Sequence, residues 1–321
     1  MTQDNGNMST RFLITVDTET YAVNGCPPTF DSNIYASAPR GALGVPKIIE
    51  ICDRYGIKGT FFVDVYMHHY YGKRRVRDLC RFIAERGHDV QLHAHPSWLP
   101  DGPSESLTAF DLQRQTEIIA EGRDLLSEWV GRPPVAFRAG SYAANLDTIR
   151  AIERNGFRID SSYFAFHQNC SLSQQLGNRY GNTVFRLGQV LEIPVTTYWL
   201  SLPTWRKISK VDINSSSLAE LCDVIPKLVG AKTRYIVLFL HSFSFIRWRR
   251  DYSGFEPNTR ALQRFEAILS RIASWGYQDS FCTMEQVARE LEGGSIEEDF
   301  DFIPTVKSRC VLNRVVQRLL E

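Results

Sequence analysis

Residues 237–243 read Val-Leu-Phe-Leu-His-Ser-Phe, residues 14–20 read Ile-Thr-Val-Asp-Thr-Glu-Thr, and residues 89–98 read Asp-Val-Gln-Leu-His-Ala-His-Pro-Ser-Trp. Each contains a short apolar run of the kind that makes a strand buried on both faces of a parallel sheet. Each run then breaks off into Asp, Glu or His. The first delivers His241, the second Asp17 and Glu19, and the third His93 and His95. In parallel α/β folds the active site lies beyond the carboxyl ends of the strands. Three strands that drop carboxylates and imidazoles at one rim point to metal-assisted hydrolysis.

Outward from these stretches, helical and strand patterns alternate along almost the whole chain. Strands are predicted at 12–16, 60–63, 89–92, 135–138, 157–160, 190–195 and 234–241, and helices at 45–55, 74–86, 107–129, 146–155, 218–229 and 259–275. Gly56, Gly87, Gly131 and Gly156 each follow a helical pattern, and Asn145 is a natural N-cap. This rhythm means parallel strands joined by right-handed crossovers. No linker interrupts it and no repeat is present. The expected organisation is an N-terminal segment of 1–10, flexible in this reading, a single α/β catalytic barrel over 11–292, and a tail over 293–321. That tail starts acidic and ends in a basic amphipathic helix.

Bulk composition narrows the function classes. Thirty-seven Lys and Arg balance 36 Asp and Glu, for a formal net charge of +1. That is a poor basis for a nucleic-acid binder working through phosphate contacts. Apolar runs about as long as 236–240 fall far short of the roughly 20 residues that span a bilayer. Residues 1–10 lack the apolar core of a secretory signal. The seven cysteines are scattered and make no Cys-x-x-Cys pair, which suits small core residues in a reduced, cytoplasmic protein.

Several motifs stand in order. Residues 59–63 read Gly-Thr-Phe-Phe-Val, 87–95 read Gly-His-Asp-Val-Gln-Leu-His-Ala-His, and 137–145 read Phe-Arg-Ala-Gly-Ser-Tyr-Ala-Ala-Asn. Asp160 closes the next strand, Leu-Glu-Ile-Pro-Val fills 191–195, and His241 ends Leu-Phe-Leu-His. Together with the Asp17–Glu19 segment, this series resembles the polysaccharide deacetylases of carbohydrate esterase family 4, the chitooligosaccharide-deacetylase-like proteins. The resemblance runs from about Arg11 to Val287. It implies a deformed (β/α)7-type barrel with loop insertions and a C-terminal helical tail.

The resemblance also implies a chemistry and a cast of residues. Amide hydrolysis needs an activated water, a polarised carbonyl, a stabilised oxyanion and a proton for the leaving amine. By the family pattern Asp17 is the base and His241 the acid, with Arg138 holding the base and Asp160 orienting the acid. The backbone N–H near Ser141, with Tyr142 beside it, would serve the oxyanion and the substrate. One divalent ion is implied, most naturally Zn2+ for a carboxylate and two imidazoles, with other transition metals able to substitute. The chain departs from the family at two ligand positions. The family's second adjacent Asp is Thr18, so Glu19 is the candidate ligand. The family's His four places after His93 is Ser97, so His95 is the substitute, since residues i and i+2 of extended backbone share a face.

Other features are weaker. His88 suits a structural hydrogen bond near a turn, and His68-His69-Tyr70-Tyr71 suits rim or surface packing. Phe164, Phe166, Tyr198, Trp199 and Trp205 are candidate walls for a sugar ring, and Phe243 is a candidate for the acetyl pocket. Ser242 replaces the family's Asp. Arg247, Arg249 and Arg250 suit either a solvated loop or phosphate recognition on a nucleotide- or lipid-linked sugar. Residues 311, 312, 315, 316, 319 and 320 form one apolar helical face. That face packs on the barrel, joins a second subunit, or lies on an anionic membrane. The expected activity is metal-dependent removal of N-acetyl groups from a glycan or glycoconjugate. The alternatives are a C–N hydrolase of the same fold acting on a non-sugar amide or cyclic imide, and an inactive glycan-binding module.

Overall fold

The structure is a computed structural model that describes residues 10–20, 29–39, 41–102, 104, 106–250, 254–292, 301–307 and 309–311. The apolar runs become the strands of one curled sheet. These are β1 (Arg11–Thr18), β2 (Thr60–Asp64), β3 (Asp89–Ala94), β4 (Ala136–Ala139), β5 (Ile159–Asp160), β6 (Phe185–Leu187), β7 (Val190–Glu192), β10 (Tyr235–His241) and β11 (Phe281–Cys282). Between β7 and β10, β8 (Thr197–Leu202) and β9 (Trp205–Lys210) form a separate antiparallel hairpin. The order across the sheet is β10-β1-β2-β3-β4-β5-β7-β6, with β11 beside the start of β1. Every neighbouring pair is parallel except β6–β7.

The sheet curls towards a barrel without full closure. Between β7 and β10 the gap is crossed by irregular chain: Phe239 donates its N–H to Val211 and Ile213 donates to Phe239. Strands β1, β2 and β3 are buried almost end to end, as the unbroken apolar runs demand. The helices include α1 (Val45–Arg54), the short α2 (His68–Tyr71), α3 (Lys73–Glu85), α4 (Leu112–Val130), α5 (Leu146–Arg154), α6 (Leu218–Gly230), α7 (Thr259–Ser274) and α8 (Met284–Glu292). Local signals set the helix ends. Asn145 and Ser217 build reciprocal capping boxes with Thr148 and Glu220, and Gly131 ends α4 in the left-handed conformation.

Past α8, residues 301–307 strap across the barrel. Asp301 accepts from the N–H groups of Gly181 and Asn182, Trp199 donates to the Pro304 carbonyl, and Lys307 donates its N–H to Asp223. Val311, the first apolar residue of the expected terminal helix, is buried in the main core. The rest of that helix, the acidic stretch 293–300, residues 1–9 and Cys26 lie outside the described residues. Among the described residues no helix is long and apolar enough to cross a membrane. The six described cysteines are free thiols.

Candidate active site

The parallel register brings the strand ends together. Asp17 of β1 pairs with His241 of β10 on one side and with Phe62 of β2 on the other, and His93 of β3 pairs with Asp64 and Arg138. Asp17, Glu19, His93, His95, Ser141, Tyr142 and His241 all line one cleft of about 380 Å³.

Asp17 and Glu19 share a face because they are two residues apart, while Thr18 turns inward and donates to the Val16 carbonyl. Arg138 is wholly buried and donates to Asp17 at 2.7 Å. It also donates to Thr15 Oγ1 and to both the carbonyl and the hydroxyl of Ser161, and it lies over the Phe62 and Phe239 rings. A guanidinium tied on this many sides holds the carboxylate in a single orientation.

Glu19, His93 and His95 converge so that one donor atom of each lies within 4.8 Å of the others. The Nδ1 of His93 is 2.8 Å from the Arg138 carbonyl. A carbonyl only accepts, so Nδ1 carries the hydrogen, and in the neutral ring Nε2 is a bare lone pair. That lone pair faces Glu19 Oε2 at 3.2 Å, and His95 Nε2 lies 2.5 Å from the same oxygen. Two imidazoles and a carboxylate with converging donor atoms are a set that could hold a cation, and the backbone carbonyl behind His93 is the usual outer support of a metal-ligating imidazole. Burial alone would raise the Glu19 carboxyl, but His95 and then His93 hold it well below the usual carboxylate range. Ser242, where the family has Asp, fixes this loop: its hydroxyl donates to the Glu19 carbonyl and its N–H to the Asp17 carbonyl.

On the other side His241 Nε2 stands 3.8 Å from Glu19 Oε1, with its ring stacked on Phe243 at 5.0 Å. Burial and the nearby Lys210 push the imidazole below its ordinary value, against the pull of Glu19, Asp17 and Asp212. The expected partner, Asp160, is elsewhere. It is fully buried, accepts from Ser162, and lies beside Glu192 in the β5–β7 register. Burial raises both carboxyls, Glu192 the more strongly with Asp160 close by. The carboxylate that sequence reasoning missed is Asp212, held by Lys210 at 2.9 Å and by the N–H groups of Asn214 and Ser215. Burial would raise it, but Lys210 and His241 keep it lowered.

Lys210 was also missed. Its ammonium donates to the Tyr142 hydroxyl at 2.6 Å and sits over the Phe239 ring. Burial pushes the Tyr142 phenol up to about 12 in spite of this. Ser141 and Tyr142 both take left-handed φ (54° and 59°), a strained turn of the kind that concentrates at functional sites. The aromatic wall differs from expectation. Phe164 lines the cleft with His167 stacked on it at 4.5 Å. Trp199 instead faces away, against Phe166 and beneath Arg206, and Trp205 is exposed. Arg247 and Arg249 both lie near Glu256 across the hairpin of Ile246–Trp248 and Phe255–Pro257.

Comparison with known proteins agrees with the motif reading. Residues 29–159 match the family model described as polysaccharide deacetylase. The chain is 25% identical over 299 residues to a peptidoglycan deacetylase-like protein of Gibberella zeae, covering 83% of this chain and 79% of that one. Its fold is similar to the crystal structure of a Mycobacterium smegmatis protein named as a polysaccharide deacetylase, with TM-score 0.58, 18% identity, and coverage of 95% and 98% of the two chains. It is likewise similar to the Puue allantoinase, with TM-score 0.54, 14% identity, and coverage of 90% and 92%. Residues 29–159 thus resemble a polysaccharide deacetylase domain, and the chain shares the α/β barrel fold of these solved structures.

Proposed function

We propose that this protein is a metal-dependent N-deacetylase of a sugar in a glycan or glycoconjugate. The observation that carries the reading is the meeting of Asp17, Glu19, His93, His95 and His241 in one cleft. Glu19, His93 and His95 would hold the ion. A divalent ion bound there supplies a Lewis acid for the acetyl carbonyl and lowers the pKa of water.

The remaining work falls to the chain's own groups. Asp17, clamped by Arg138, takes the proton of the attacking water. The Ser141 backbone N–H, at the strained turn after β4, would donate to the oxygen that gains charge. His241, across the cleft, hands a proton to the nitrogen as the amide bond breaks and leaves acetate and the free amine. Its neighbours Lys210 and Asp212 tune its charge in opposite directions. Phe164 and His167 offer a flat wall to the sugar face.

Acetate release from a panel of N-acetylated sugars, with a non-sugar amide and a cyclic imide as controls, tests this reading. Turnover of an acetylated sugar that chelator abolishes and zinc restores is the expected result. Turnover of the imide alone would overturn the substrate assignment. Tight sugar binding without turnover or bound metal would overturn the enzyme reading.

A further inference from the structure

A second group of metal-type side chains lies outside the cleft, between α2 and α4. The turn after β2 is pressed against α4: Tyr66 donates its hydroxyl hydrogen to the Ile118 carbonyl at 2.6 Å. Gly122 permits this approach, since a Cβ there would fall 2.6 Å from that hydroxyl and 2.7 Å from Leu92 Cδ1. The docking carries His68 and His69, which open α2, over Glu121, the neighbour of Gly122. The Nε2 of His69 lies 3.2 Å from Glu121 Oε1 and that of His68 lies 3.6 Å from the same oxygen. The two rings are 4.0 Å apart, and one donor atom from each of the three side chains falls within 4.8 Å of the others.

His68 gives the independent sign of a ligand. It is only 7% exposed, its ring meets Trp129 edge to face, and its Nε2 has no hydrogen-bond partner. A buried imidazole nitrogen aimed at a carboxylate from beyond hydrogen-bond range is a costly arrangement unless something sits between them. Metal–ligand bonds of about 2.0–2.1 Å in a tetrahedron separate neighbouring ligands by about 3.3 Å. The two nitrogen–oxygen distances bracket that value. Glu121 and His69 are partly exposed, so an ion reaches the site from solvent.

We propose that His68, His69 and Glu121 form a second binding site for a divalent transition metal of the zinc type, distinct from the site in the cleft. Two imidazoles and a carboxylate are the ligand chemistry of zinc, with one position left for water. The ion would act as a clamp between α2 and α4. What α2 carries gives the clamp a purpose: Tyr70 and Tyr71 pack on Trp98, just past His95, and Tyr71 accepts from Thr20, the neighbour of Glu19. Fastening α2 therefore fastens one wall beside the cleft.

The test counts zinc per chain in full-length protein that has been stripped with chelator, re-equilibrated with low-micromolar Zn2+ and desalted. Glu121→Gln and His69→Ala change partly exposed side chains, and circular dichroism checks that both variants fold. Each is expected to carry one ion fewer than the wild type, and the difference should persist in a His93→Ala background, where the cleft site is broken. In that background zinc should raise the melting temperature, and the added Glu121→Gln should remove the rise. Zinc contents equal to wild type in both variants would overturn the site. Loss in only one of them would overturn the three-ligand assignment.

Discussion

Gly140 is the floor on which the His95 ring rests: a Cβ there would lie 2.5 Å from the imidazole Cε1 and 2.6 Å from Nδ1. The same Cβ would sit 2.7 Å from the Ala94 carbonyl, so the ring and the strand that carries it would both have to move. A glycine just past β4 thus positions a side chain just past β3.

Gly140→Ala should therefore act on metal binding before it acts on folding. Displacing the support of a ligand typically costs 10–100-fold in metal affinity, which is about the loss expected here. Overpacking of this kind destabilises by about 1–3 kcal/mol. Zinc titration against a competing chelator, alongside urea melts, separates the two effects. Wild-type affinity in the variant would show that His95 is not a ligand.

Asp17 and Arg138 form a buried ion pair, and its two halves should respond differently to substitution. Asp17→Asn keeps an acceptor for the guanidinium but cannot take a proton, so the protein should remain folded and lose roughly 10²–10⁴-fold in rate. Arg138→Leu leaves the carboxylate buried without its partner, a loss that typically costs about 3–5 kcal/mol. Urea melts of both variants and steady-state rates of the first check this. Near-wild-type turnover of Asp17→Asn would remove it as the base.

Asp212 and Asp160 make opposite predictions for the alkaline limb of the pH–rate profile, which His241 sets as the general acid. Asp212 helps to keep His241 protonated, so Asp212→Asn should lower the imidazole pKa further and move the His241 limb of the pH–rate profile to lower pH. Asp160→Asn should leave that limb where it is. A shift produced by Asp160→Asn alone would restore the role read from its place in the sequence.

The sequence shows where the chemistry arises more readily than how it is held. Asp17, Glu19, His93, His95 and His241 were legible because buried parallel strands are unbroken apolar runs, and the residue that ends such a run stands out. The two-residue spacing of Glu19 to Asp17 and of His95 to His93 follows directly from the alternation of extended chain. Asp160 also ends a strand, but its register against Glu192 turns it into the sheet, and only the pairing reveals that. Lys210 and Asp212 lie at and just past the end of a hairpin strand, Trp-Arg-Lys-Ile-Ser-Lys, that is too polar and exposed to give a strand signal. Trp199 looked like a sugar wall from its place near a strand end. The hairpin that carries it packs on the tail strap instead, through a contact between residues distant in sequence. Gly122 and Gly140 matter only through what a side chain would strike.

His88 supplies a pH dependence of stability that is independent of the cleft. Its Nδ1 accepts the Gly59 N–H at 3.0 Å, so the neutral ring with hydrogen on Nε2 is the native form. Burial, helped by Lys58, pushes the imidazole down from 6.5 to about 4. The unfolded chain therefore binds the proton more readily than the native one between those values. Stability from this group is complete above about pH 6.5 and is lost as pH falls towards 4, by roughly 3 kcal/mol at most. In His88→Asn an amide oxygen can still accept from Gly59 but cannot titrate in this range. The variant should be less stable than wild type at pH 7, because its packing is poorer, yet should lose less stability between pH 6.5 and 4.5. Urea melts across that range measure both slopes. Equal slopes in the two proteins would mean that His88 is already protonated in the native state.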